Sequence, residues 1–369
     1  MQTRIILASG LPPGKEERVV VKIPNPRFGA PFQTPIKIAI DEMQRRAHGA
    51  RPLLPIHRDV GTSVAKALLD RIEERFLDQP DMVDEIMTDL MSELWMLRQN
   101  SPSDVWGDIL RQCATHPVRE IIHQDPFSAR SFRKPRGYSG DAVMIDYIYS
   151  RNCRLGEEEP VTEIGERIFR FNCDTPACSA VRTRRDLVAS VIDQVCALSD
   201  HPHILSVACG HLREATLCRS VPSGNAGRVV ALDQDELSIS VVTREVAEYG
   251  VIPVCNSIKA LFRGDVAHEK FDFIYSTGLY DYLDDRIAGK LTGRLFAMLN
   301  PGGRLLLANF VPDIWGAAYM ESFMDWRLIY RTPEQIDALA SHIPESEIAR
   351  QVTFTEKNAN IAFVEITRS

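Results

Sequence analysis

From about residue 200 onward the chain alternates short apolar runs with helix-length segments: HILSVA, RVVALD, VIPVCN, FDFIYS and GRLLLANF. A short run that is apolar throughout suits a strand covered on both faces. Helix-length spacers between such strands imply a parallel sheet with helices on both sides. The tail, RQVTFTEKNANIAFVEITRS, breaks this rhythm, with two β-rich stretches separated only by the turn-like KNAN. It predicts an antiparallel hairpin. The expectation is an α/β fold of five crossover-connected strands closed by that hairpin, a seven-stranded sheet with its last strand antiparallel.

Upstream the pattern differs. Residues 1–60 carry KIPNPRFGAPFQTP around the β-like run RVVVKI and are expected to form an irregular arm. SVAKALLDRIEERFLDQ and DMVDEIMTDLMSELWMLRQ place apolar residues at three- and four-residue intervals, and PSDVWGDILRQCA opens on a Ser-Asp cap signal. Residues 61–200 are therefore expected to be a helical substrate or lid domain, and 201–369 the sheet domain. A net charge of −7 argues against a nucleic-acid binder, which needs a concentrated basic face. No apolar run approaches the roughly 20 residues that span a bilayer, and the first apolar stretch is too short for a signal peptide. A soluble cytoplasmic protein is the expectation. The eight cysteines form no C-x-x-C pair and no zinc spacing, so buried reduced thiols and no metal are expected.

In doubly wound sheets ligands lie at the carboxyl ends of the strands. Those ends are Gly210 in HILSVACGHLREATL, Asp233 in RVVALDQD, Asn256 and Ser257 in CNSI, and STGLYDYL from Ser276 to Leu283. The residues after Gly210 have helical character, and a strand–glycine–helix junction presents backbone N–H groups to a polar ligand. Asp233 ends its strand roughly 20 residues beyond the glycine, as expected of a carboxylate that accepts both hydroxyls of a ribose. Helix capping is its alternative role. Asn256 and Ser257 suit an adenine edge or an N-cap.

On ILSVACGHLREATL, VVALDQD, FDFIYSTGLYDYL, LNPGGRLLLANF and the closing hairpin, the chain resembles the class I S-adenosylmethionine (SAM) dependent methyltransferases, whose sheet is Rossmann-like. The resemblance covers roughly residues 165–369. It implies SAM as cofactor, held by Ala208, Gly210, His211, Asp233, Gln234, Asn256, Ser257, Ser276, Thr277 and Gly278. His211, Leu212 and Arg213 stand where that superfamily usually has further glycines. Because SAM carries no phosphate, the backbone need not wrap so tightly.

DPFSARSFRKPRGYSGDAVMIDYIY, ACSAVRTRR and FMDWRLIYRTPEQI are similar to a bacterial group of 3-hydroxypalmitate methyl ester synthases, which also includes azetidine-2-carboxylate synthases. Within the first of these segments, Gly137 and Gly140 flank Tyr138 and Ser139 in a flexible loop, so Tyr138 is expected over the sulfonium, Asp141 at the cap of the next helix, and Tyr147 and Tyr149 in the core. Arg182 or Arg185 would bind the methionine carboxylate, or both are solvated helix charges. Tyr280, Asp281 and Tyr282 follow Gly278 where superfamily members meet the reacting atoms. Asp281 is expected to serve as base, to orient an ammonium group, or to cap a helix. Three functions are compatible: methyl transfer to a small-molecule acceptor such as a fatty-acyl or secondary-metabolite acid, cyclisation of SAM to azetidine-2-carboxylate with release of methylthioadenosine, and a non-catalytic SAM-binding scaffold. A homodimer is compatible with each.

Overall fold

The computed structural model describes residues 58–155, 160–264 and 270–369. Among them, one sheet contains β1 (His203–Val207), β2 (Arg228–Asp233), β3 (Val251–Cys255), β4 (Phe271–Ser276), β5 (Leu299–Phe310), β6 (Ile348–Thr355) and β7 (Ile361–Arg368), in the order β3-β2-β1-β4-β5-β7-β6. β1 to β5 are parallel, and the terminal hairpin adds β7 antiparallel to both β5 and β6. The chain runs outward from β1 to β3, then returns to β4 on the other side. A crevice opens where the order reverses, at the carboxyl ends of β1 and β4.

Alternation along each strand explains the uninterrupted apolar runs. Ile204, Phe273, Tyr275, Leu306 and Ala308 point to one face, and Leu205, Val207, Ile274, Leu305 and Leu307 to the other. The second face is covered by helices Asp285–Ala297 and Pro333–Asp337, through Leu291, Leu295 and Ile336. The first is covered by the long helix Pro176–Leu198, through Val188, Ile192 and Val195. Leu68, Leu94, Ile109, Phe169 and Phe323, from helices 58–78, 83–100, 103–115, 163–174 and 317–323, continue the same buried cluster. The helical region and that sheet face thus share one core.

Two local expectations are corrected. No α-helix follows Gly210; a 3-10 turn, Arg213–Thr216, stands there instead. The side chains of Arg213 and Glu214 are drawn to opposite partners, and Pro222 and Gly224 follow closely. In helix Ser103–Thr115 the residue at the cap is Pro102, and Ser103 makes no capping bond. The anticipated cap at Asp141 is present, accepting from Met144 N–H at 2.9 Å. The arm expected over residues 1–60 lies outside the described residues except for 58–60, which open the first helix.

Candidate functional site

A cavity of about 880 Å³ occupies the crevice. Its first wall is the loop after β1. Ala208, Gly210 and Leu212 have φ of 56°, 54° and 51°, so the chain turns through three left-handed residues. The turn aims Gly210 N–H at Asp233 Oδ2 (2.8 Å), while Asp235 N–H donates to Oδ1 (2.9 Å). Both carboxylate oxygens are thereby fixed at the cavity edge with further lone pairs to offer. Burial raises the Asp233 pKa above the usual carboxylate range, against the pull of those two N–H groups. Gln234, Asn256 and Ser257 line the same end of the cavity.

His211 and Arg213 fasten this loop to helix Ala142–Ser150. Asp146 takes His211 Nδ1 at 2.8 Å, with Arg213 Nε at 2.8 Å and Nη2 at 2.5 Å. Arg213 also pairs with Glu245. These bonds form a bracket that fixes the wall's position.

The loop between residues 134 and 140 forms the roof. Arg136 donates to Asp235 (2.8 Å) and Ser238 (3.0 Å), Ser139 donates to the Asp325 carbonyl (3.0 Å), and Lys134 pairs with Asp325. Tyr138 lines the cavity. Burial, reinforced by Asp233 and Asp235, raises its phenol pKa far above normal. Gly140 lies against a bonded pair, Trp326 Nε1 donating to Tyr282 Oη at 2.8 Å.

Beyond β4, Thr277, Gly278, Asp281 and Tyr282 line the cavity. Asp281 accepts from Phe310 N–H (2.8 Å), and its own carbonyl accepts from Ile329 N–H (2.7 Å). Burial pushes its carboxyl up to about 6, although Phe310 N–H and the cations Arg184 and Arg331 favour the ionised form. It caps no helix; Asp284 does that.

Three expected site residues lie elsewhere. In the 3-10 turn Tyr280–Tyr282, Asp281 faces the cavity and Tyr280 falls into the opposite core, its hydroxyl 3.1 Å from Thr292. Ser276 is turned into the sheet and donates to the Val207 carbonyl (3.0 Å). Arg182 donates to the carbonyls of Cys173 (2.9 Å) and Ile148 (3.2 Å), where a cation suits the carboxyl ends of two helices. Arg185, its companion candidate, stacks over Tyr149 at 4.6 Å.

The residue that reaches the cavity is Arg184, only 6% exposed, donating to the Thr277 carbonyl and bonded to the Tyr149 hydroxyl. Tyr149, expected in the core, also lines the cavity, its phenol pushed up to about 12 by burial. Glu214 and Trp326 are two further lining residues without an anticipated role. A signal for Arg184 existed. It lies three residues after Val181 and four before Val188, on the helix stripe that faces the sheet. Cys209 is buried with its thiol pKa raised by desolvation, an unreactive filler. Among the described residues no cluster of His, Cys, Asp and Glu has a metal-binding arrangement, and no helix is long and apolar enough to cross a membrane.

No protein-family model and no curated protein matches this chain. Among solved structures, it is similar to the "possible exported protein" of Bordetella parapertussis, with a TM-score of 0.52 and 17% identity over 82% of this chain and 96% of that one. Magnesium protoporphyrin IX methyltransferase from Synechocystis PCC 6803, with bound S-adenosylhomocysteine, gives 0.41 and 15% over 62% and 98%. An N-methyltransferase from Bradyrhizobium japonicum WM9 gives 0.37 and 14% over 53% and 98%. In strand order and in its antiparallel seventh strand, the chain has the Rossmann-like seven-stranded fold of class I methyltransferases, carrying a helical N-terminal region.

Proposed function

We propose that the cavity binds SAM and presents its sulfonium as an electrophile to a small-molecule acid, making the protein a methyltransferase. The observation that carries this reading is Asp233: a buried carboxylate at the end of β2, both oxygens fixed by Gly210 and Asp235 N–H groups and aimed at the cavity. A ribose diol is the natural donor pair for it. With the sugar there, the adenine extends toward Asn256, Ser257 and Ile258, and the methionyl end toward Thr277 and Gly278. The sulfonium then falls between Tyr138, Tyr282 and Asp281. Contact of a desolvated cation with aromatic faces contributes about 2 kcal/mol.

The acceptor enters on the side of Phe310, Trp326 and Leu328, an apolar wall suited to an acyl chain. Its carboxylate oxygen attacks the methyl carbon in line. The C–S bond breaks, its electron pair stays on sulfur, and S-adenosylhomocysteine leaves with the methyl ester. A carboxylate nucleophile needs no base, so alignment supplies most of the acceleration.

Asp281 supports a second reading. A carboxylate with pKa near 6, beside the sulfonium, is suited to take a proton from SAM's own ammonium. The freed amine would attack the γ-carbon, closing azetidine-2-carboxylate and expelling methylthioadenosine. Mass spectrometry after incubation with SAM, alone and with a panel of fatty and aromatic acids, tests both readings. S-adenosylhomocysteine and a methyl ester, formed only with an acid present, is the expected result. Methylthioadenosine and the ring amino acid from SAM alone would replace it with cyclisation. Binding with neither product would leave a scaffold.

A further inference from the structure

Arg331 is the largest fully buried side chain among the described residues, yet it lines no part of the cavity. Each of its five N–H groups has an acceptor. Nε donates to Asp285 Oδ1 (3.0 Å), Nη1 to the Tyr280 carbonyl (2.8 Å) and Asn309 Oδ1 (2.6 Å), and Nη2 to the Leu283 carbonyl (2.5 Å) and the same Asp285 oxygen (2.8 Å). The fork therefore grips the Tyr280–Tyr282 turn at both ends. The backbone of the same segment adds two bonds, Ile329 N–H to the Asp281 carbonyl (2.7 Å) and Arg331 N–H to the Phe310 carbonyl (3.0 Å). Phe310 N–H occupies Asp281 Oδ1 at 2.8 Å, and Oδ2 has no partner among the described residues. The counter-charge, Asp285, is itself largely exposed. A buried guanidinium paired in this way adds little net stability, because desolvation offsets most of the attraction. What it does supply is a rigid planar fork that fixes direction.

We infer that Arg331 is a positioning residue of the site: by holding the carbonyls of Tyr280 and Leu283 it turns Asp281 and Tyr282 toward the cavity and Tyr280 into the core. This rests on the SAM reading and deepens it by naming what aims the groups beside the sulfonium. Successive side chains of a 3-10 turn project about 120° apart, so a slip of one position would put Tyr280 in the cavity and Asp281 in the apolar core. Bonds to the carbonyls at both ends of the turn oppose that slip. The guanidinium also acts on Asp281 through space, favouring its ionised form against burial. Arg184 does the same from the helix before β1, while Tyr282 and Tyr330 lie close enough to feel the carboxylate as neutral phenols. A sulfonium then meets a carboxylate on a rigid mount.

Calorimetry with SAM and S-adenosylhomocysteine, which differ by one methyl group and the positive charge, tests this. Arg331→Met should lower the ratio of SAM to S-adenosylhomocysteine affinity by about tenfold, and leave the affinity for S-adenosylhomocysteine within about twofold of the parent's. Arg331→Lys keeps the charge without the fork. It should show part of that loss, and it carries the test if Arg331→Met does not fold. Asp281→Asn should lower the ratio in the parent and by less in either Arg331 variant, because both changes remove the same contact. A general loosening of the fold would instead weaken both ligands alike. That outcome, an unchanged ratio in any of the three variants, or an Asp281→Asn loss undiminished beside an Arg331 change would overturn the role while leaving SAM binding standing. A parent that binds neither ligand would overturn the SAM reading, and this role with it.

Discussion

Asp281 shows how a residue's surroundings decide both its role and its cost. Its carboxyl is fully enclosed, with Phe310 N–H as its hydrogen-bond donor, so burial raises its pKa from 3.8 to about 6. An acid that binds its proton more tightly when folded destabilises the fold once it ionises. The penalty is absent below the unfolded value and fully present above about 6, so stability falls as pH rises through that window. At full ionisation it amounts to about 3 kcal/mol, an order-of-magnitude figure. Asp281→Asn should therefore gain stability relative to the parent between pH 4 and 7, measured by urea denaturation at each pH. Methyl transfer to a carboxylate needs no base, so the variant's rate profile should keep the parent's shape near pH 6; loss of an acidic limb there would favour cyclisation, in which Asp281 takes the ammonium proton. A stability difference that does not change with pH would mean the group is solvated. The sequence made Asp281 legible because it lies directly beyond a strand end. Arg184 was hidden among Arg182, Thr183 and Arg185, where charge alone separates nothing. Only its register with Val181 and Val188 distinguishes it, and that signal depends on knowing which helix face meets the sheet.

Among the elements, the roof loop does the most to close the site. Arg136, Ser139 and Lys134 anchor it at both ends, and Gly140 passes directly beneath the Trp326–Tyr282 pair. A methyl group at Gly140 would lie 2.6 Å from both the Trp326 ring and Tyr282 Oη, so the pair or the loop must move. Overpacking of this kind costs about 1–3 kcal/mol. The clash is present in the fold as it stands, so Gly140→Ala should lower the melting temperature and, by displacing the roof or the Trp326–Tyr282 pair, weaken S-adenosylhomocysteine binding by about tenfold; unchanged affinity would mean the roof is not part of the ligand site. Strands and hairpin were readable because their signal is local: apolar runs, and a turn sequence between two β-rich stretches. The turn after Gly210 was not. REAT has helical composition, but Arg213 is bound to Asp146 and Glu245 while Glu214 is bound to Tyr275, and tertiary bonds outweigh propensity there. The cover that such a helix would provide comes instead from Pro176–Leu198, whose core cluster includes Ala215 and Cys218 from the turn region.

Across the whole molecule, the change from helices to alternating strands near residue 200 is a change of element type, and the buried core runs straight across it. Phe76, Ile86 and Phe169 belong to the same cluster as Ile204, Phe273 and Phe363. The cavity straddles the junction too, with Tyr149 and Arg184 from one side and Asp233 and Asp281 from the other. A shared core and a shared site predict one cooperative transition. The tryptophans make this measurable: Trp95 and Trp106 stand on the N-terminal helices, whereas Trp315 and Trp326 follow β5, so fluorescence of a variant that keeps only Trp95 and Trp106 reports the helical side. Far-UV circular dichroism reports strands and helices throughout. The two denaturation curves should superimpose, and S-adenosylhomocysteine at a hundredfold excess over its Kd should raise both unfolding free energies together by about 2.7 kcal/mol. Fluorescence that changes at lower denaturant than the dichroism would show the helical layer unfolding by itself. A ligand shift confined to the later transition would then place the binding energy in the sheet alone, against a site built from both parts.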